Sequence, residues 1–140
     1  MSNDFEQAVG HLRLHHIGIV VDDLDEAMAN YERVGFGAGE RFSVPEQGVE
    51  AIVYQAGTGY MELIRPTDPE GAIGRYLAKR GSGMHHIAYA VDDLAATLAR
   101  LKSAGVRLID EVPRQGTHGW RIAFIHPESC AGVLTELVEE

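Results

Sequence analysis

The chain has 140 residues, 45% of them hydrophobic and 24% charged, which excludes a disordered or collagen-like chain and sets the scale of one packed domain. Its 21 acidic residues against 12 Lys and Arg leave a net charge of -9, which argues against nucleic acid as the main partner, because phosphate binding needs an excess of basic surface. The single cysteine, Cys130, excludes an internal disulfide, no apolar run approaches the roughly 18 residues of a membrane span, and the opening Met-Ser-Asn-Asp-Phe-Glu-Gln lacks leader character, so a soluble cytoplasmic protein is expected.

A first strand is expected through His15-His16-Ile17-Gly18-Ile19-Val20-Val21. A helix follows, with Asp23 as its cap, Glu26 three residues on, and Leu24, Ala27, Met28, Tyr31 and Val34 on one face, stopping at Gly35. Three strands are predicted around 37–44, 49–56 and 59–66, each bounded by Gly, Pro or polar residues. A short helix over 68–81, capped by Asp68 with Pro69 at its first position, leads to a second copy of the opening pattern. There His85-His86-Ile87-Ala88-Tyr89-Ala90-Val91-Asp92-Asp93-Leu94 returns seventy positions after His15. Its helix is capped by Asp93, buries Leu94, Leu98, Leu101 and Ala104, and ends at Gly105, with strands predicted near 106–112, 119–126 and 132–139. Two copies are too few for a solenoid, so they pair as half-domains. The expected fold class is α+β, a single domain over 1–140 made of two βαβββ modules, about 12–66 and 82–139, joined by the helix at 68–81.

Alternation along a strand separates the two histidines of each pair. His15 shares a face with Ile17, Ile19 and Val21, and His85 with Ile87, Tyr89 and Val91, the large apolar sets on which a helix packs. His16 and His86 share the other face with Gly18, Ala88 and Ala90, which leaves room beside an imidazole, and so point into a cavity. Glu62 and Glu136 sit in the middle of apolar strands, where a carboxylate is costly unless it is paired or binds a cation. The order His16, Glu62, His86, Glu136 therefore points to one divalent ion. Mixed N and O ligands with positions left for water suit Co2+, Ni2+, Mn2+, Mg2+ or Zn2+ better than a closed structural zinc site.

Paired βαβββ units with His in the first strand and Glu in the fourth resemble the vicinal oxygen chelate superfamily, which includes glyoxalases and extradiol dioxygenases. More narrowly, Pro45-Glu46-Gln47-Gly48-Val49, Met61-Glu62-Leu63-Ile64-Arg65-Pro66, Gly83-Met84-His85-His86-Ile87-Ala88 and Gly132-Val133-Leu134-Thr135-Glu136-Leu137 resemble the methylmalonyl-CoA epimerase family. The resemblance implies an open, eight-stranded, barrel-like sheet around a metal site, with ligands at His16, Glu62, His86 and Glu136 and Co2+ as the first choice of ion. It implies epimerisation of an acyl-CoA at C2 through a metal-stabilised enolate, with Glu136 as one acid-base group, and a homodimer. A second family carboxylate falls at Ala51 here, which leaves two alternatives: the adjacent Glu50, brought inward by a local bulge, or another group or a water in place of that carboxylate.

Coenzyme A is polyanionic, so Arg65, Lys79, Arg80, Arg114 and Arg121 are the candidates for local positive charge. Competing readings keep the same fold. A glyoxalase I-like lyase or isomerase would act on a glutathione adduct with the same four ligands, and a drug-binding resistance protein would hold no metal.

Overall fold

The computed structural model describes residues 12–140; the opening heptad and the start of the expected 1–140 domain lie outside the described residues. In chain order the first module is β1 (Arg13–Val20), α1 (Leu24–Val34), β2 (Glu40–Val44), β3 (Val49–Ala56) and β4 (Gly59–Pro66). After α2 (Ala72–Arg80) come β5 (Gly83–Ala90), α3 (Leu94–Ser103), β6 (Arg114–Gln115), β7 (Arg121–Ile125) and β8 (Thr135–Glu139). Both long helices start where a side chain can satisfy free backbone donors: Asp23 accepts the N–H of Glu26 at 3.0 Å and Asp93 accepts that of Ala96 at 3.0 Å. They stop where glycine takes up positive φ, 125° at Gly35 and 82° at Gly105.

Three expectations need correction. Helix α2 begins at Ala72 because Asp68 turns its carboxylate onto the N–H of Glu70 at 2.9 Å and closes a separate turn ahead of the helix. The strand expected at 106–112 reduces to a single bridge between Leu108 and Ile125. There the N–H groups of Ile109 and Asp110 both bond the Phe124 carbonyl, and the Asp110 carboxylate accepts the Phe124 N–H, so a side chain replaces the ladder. Val34 and Ala104, which end the expected apolar stripes of the two long helices, are both exposed.

The strands form one eight-stranded sheet in the order β2-β3-β4-β1-β5-β8-β7-β6. The sheet is curled into a half-barrel. Within the modules β1 pairs parallel with β4 and β5 parallel with β8, and the modules meet where β1 pairs antiparallel with β5. On the outer face Leu24 and Ala27 of α1 pack with Ile52, Tyr54 and Leu63, and Leu94 and Leu98 of α3 pack with Ala123, Ile125 and Leu137. Each fully buried leucine in these clusters stabilises the fold by about 1.5–3 kcal/mol. Inside the curl, Val53 of β3 meets Ala88, Ile122 and Val138 beneath Trp120. No helix among the described residues is long and apolar enough to cross a membrane.

The seam between β1 and β5 is irregular at the histidines. Its register slips by one residue between Leu14 and His16 and slips back between Gly18 and Ile19, leaving His15 and His85 without partners across the ladder. Such bulges interrupt the alternation of side chains. His15 is consequently not on the helix-bearing face with Ile17 and Ile19; it is buried inside the curl against Trp120 and Tyr60, with ring centroids 4.4 and 5.2 Å away.

Candidate metal centre

His16 and His86 face each other across the seam, one from each module. Gly18 makes this approach possible: a Cβ there would lie 2.1 Å from Cε1 of His86. The Nε2 atoms of the two histidines are 3.0 Å apart, and Glu136 of β8 brings Oε1 to 3.3 Å from His16 Nε2 and Oε2 to 3.3 Å from His86 Nε2. All three residues are buried, and one ligand atom from each lies within 4.8 Å of the others. Two ligands of one ion at bond lengths of about 2.1 Å stand roughly 3.0–3.4 Å apart, so the spacing suits a single cation.

The electrostatics of the group agree. Burial holds His16 down to about 3 and His86 well below the usual imidazole range, so both rings are neutral and offer lone pairs. Burial also pushes Glu136 well above the usual carboxylate range, and the neighbouring Glu62 pushes it further. Carboxyls raised in this way ionise only beside a positive charge; Arg114 acts on Glu136 without a hydrogen bond to it, and a divalent ion would supply the remaining compensation.

The bulged histidines set the orientation of the rings beside them. His15 Nδ1 lies 2.7 Å from His16 Nδ1, and His85 Nδ1 lies 2.9 Å from His86 Nδ1. A neutral imidazole carries one ring proton. When His16 Nε2 is a free lone pair, its Nδ1–H donates to His15, whose own proton then sits on Nε2 and donates to Glu140 Oε1 at 2.7 Å. Trp120 stacks on His16 with ring centroids 5.8 Å apart and closes this side.

Glu62 lines the same inner cavity as His86 and Glu136 but stands apart from the close trio, because its Oε2 accepts a 2.6 Å hydrogen bond from Thr117 Oγ1. Burial raises its carboxyl, against the opposing pull of the Thr117 hydroxyl, to about 7. Glu50 is not brought to the site. The β2–β3 and β3–β4 registers run through it without a slip, so no bulge turns it inward, and its carboxylate pairs with Arg65 at 3.0 Å on the helix-bearing face. Ala51 faces the inside and is fully buried. Of the candidate cations, Arg80 and Arg114 line cavities beside the site, of about 480 and 540 Å³, whereas Arg65 and Arg121 are engaged by Glu50 and Glu139.

Thr117, Trp120 and the bulged roles of His15 and His85 escape sequence reasoning. The glycines framing Thr117 and His118 signal a loop, and within it His118 takes a φ of 57° that helps turn Thr117 inward and His118 outward, against Phe42.

A half-barrel of two repeated modules carrying an inward His-His-Glu cluster defines a class, and the comparison with known families gives its name: the profile of the glyoxalase/bleomycin resistance/dioxygenase superfamily matches residues 15–124, and the chain belongs to that superfamily. Its relatives include the uncharacterised protein YqjC of Bacillus subtilis, 42% identical over 91% of each chain. The ethylmalonyl-CoA/methylmalonyl-CoA epimerase of Cereibacter sphaeroides is 37% identical over 89% of this chain and 96% of its own. Among solved structures, a single-residue variant of Streptomyces coelicolor methylmalonyl-CoA epimerase in complex with 2-nitronate-propionyl-CoA superposes with a TM-score of 0.87 at 41% identity, covering 91% of this chain and 94% of the other.

Proposed function

We propose that the protein is a metal-dependent methylmalonyl-CoA epimerase that interconverts the (R) and (S) thioesters by removing and returning the C2 proton. The observation that carries this reading is the buried convergence of His16, His86 and Glu136 inside a fold shared with epimerases of that name. His16, Glu62, His86 and Glu136 are the assigned ligands of a divalent cation, Co2+ first, then Ni2+, Mn2+, Zn2+ or Mg2+. When bound, such a cation supplies Lewis-acid stabilisation of the negative charge that develops on the thioester oxygen as the proton leaves.

The chain's own residues do the rest. Glu136 takes the C2 proton: burial and Glu62 raise its carboxyl, which makes the ionised form the stronger base. Ile64, Ile73, Ile122 and Phe124 wall the inner cavity and keep bulk water from the exposed carbanion carbon. With Glu50 on the outer face and Ala51 on the inner one, β3 supplies no carboxylate to the cavity, so the proton that arrives on the face of C2 opposite Glu136 comes from another group or a water. The same reading takes the chain as one domain of two half-modules, working as a cytoplasmic homodimer.

The test is solvent exchange. Metal-loaded protein incubated with 2-methylmalonyl-CoA in deuterated water should replace the C2 proton, and Glu136→Gln should slow that replacement by about 10²–10⁴-fold. Absence of exchange with every one of the five ions would overturn the reading.

A further inference from the structure

Glu136 lines the inner cavity and neither of the two outer ones, so a substrate must bring its C2 into that inner space. The space is about 30 Å³, room for about two water molecules, and a 2-carboxyacyl head group is several times larger. One side of the wall must therefore yield before the head group reaches Glu136.

Most of the wall is tied together by backbone. From β2 round to β6 each strand is hydrogen-bonded to the next, and α1 and α3 pack on the sheet from outside. The exception is the open side of the curl, where β2 and β6 are the two free edges. A crevice of about 500 Å³ lies between them, lined by residues 42–46 on one bank and 115–119 on the other. Among the described residues no backbone–backbone hydrogen bond crosses it. The contacts across it run through side chains: Gln47 Nε2 donates to the Gln115 carbonyl at 2.7 Å, and the His118 ring meets Phe42 with centroids 4.9 Å apart and brings Nδ1 to 3.7 Å from Glu40 Oε2. Thr117 lines both the crevice and the inner cavity and forms the partition between them. Its neighbour His118 is held at a φ of 57°, in the left-handed region that is costly for a residue with a Cβ.

We infer that this side-chain clasp is a gate: the β2 edge and the turn 117–119 part to admit the head group and close again over it. This rests on the epimerase reading above. Opening here exchanges one exposed amide–carbonyl hydrogen bond and one ring contact for water, whereas parting any other neighbouring strands would break a backbone ladder. The clasp also has a built-in reporter. Trp120, the single tryptophan of the chain, is 5% exposed, and its ring centroid lies 5.0 Å from that of His118.

The experiment mixes Zn2+-loaded protein with rising concentrations of malonyl-CoA in a stopped-flow instrument and follows Trp120 emission, with binding itself measured by calorimetry. The wild-type rate should level off at high ligand, at the rate of opening. Gln47→Ala removes the hydrogen bond, and His118→Gly removes the ring contact together with the cost of the positive φ. Each should raise the plateau by about three- to tenfold, and the ligand-free variants should expose Trp120 to acrylamide quenching more than wild type does. Either variant serves alone if the other does not fold. Wild-type protein that binds no malonyl-CoA overturns the epimerase reading and this inference with it. Binding without a plateau, or a plateau and a quenching constant that both variants leave unchanged, overturns this inference alone.

Discussion

Glu50 and Glu136 show how differently one side chain behaves on the two faces of one sheet. Glu136 is 4% exposed, flanked by two neutral imidazoles, and its carboxyl is raised by burial first and by Glu62 second. Glu50, adjacent to the position where the related family places a carboxylate, points to the outside and pairs with a half-exposed Arg65. Exposed pairs of that kind contribute on the order of 0–1 kcal/mol. Glu50→Gln should therefore leave the C2 exchange rate within about twofold of wild type and the thermal midpoint nearly unchanged. An exchange loss comparable to that of Glu136→Gln would return Glu50 to the reaction.

At the scale of elements, the seam between β1 and β5 decides where the site lies, and it decides how far the site was legible. The helices could be read because their signals are local: Asp23 and Asp93 bond donors three residues ahead, and Gly35 and Gly105 end the helical pattern. His16, His86 and Glu136 could be read because polar residues recur at matching places in two apolar strands, and the structure sets those three together. The placement of His15 could not, because a register slip belongs to the pairing of strands seventy residues apart and leaves no mark in either strand alone. The strand expected at 106–112 failed for a related reason, since the Asp110 carboxylate competes for the backbone donor that a ladder would have used. Gly18 carries the seam's tightest requirement. Gly18→Ala would force the His86 ring away from a Cβ 2.1 Å from it, and cation affinity, measured by competition with a chelator, should fall by about tenfold or more.

Across the whole molecule the buried ionisable groups make stability depend on pH in two opposed ways. His15, His16, His85 and His86 are all held below 6.5 by burial, His16 to about 3 and His85 to about 4. The unfolded chain takes up these protons near pH 6.5 and the folded chain does not, so their stabilisation is present above pH 6.5 and is lost as pH falls toward 3–4, at up to about 1.4 kcal/mol per unit for each fully buried ring. Glu62, raised to about 7, and Glu136 act in the other sense, since the unfolded chain gives up their protons near pH 4.5 while the fold retains them. Four histidines outweigh two carboxylates, so the thermal midpoint of chelator-treated protein should fall between pH 6.5 and 4.5. A divalent cation displaces protons from the carboxylates, and the midpoint it adds should be larger at pH 8 than at pH 6; an equal gain at both would contradict the ligand set.

The close trio draws His16 from one module and His86 and Glu136 from the other, across a seam of two strands. With a cation in place, neither half can fray without surrendering donors to solvent, so the two halves unfold together. A chain whose single cysteine cannot pair within itself would thereby carry an internal cross-link governed by the metal supply of its surroundings instead of their redox state.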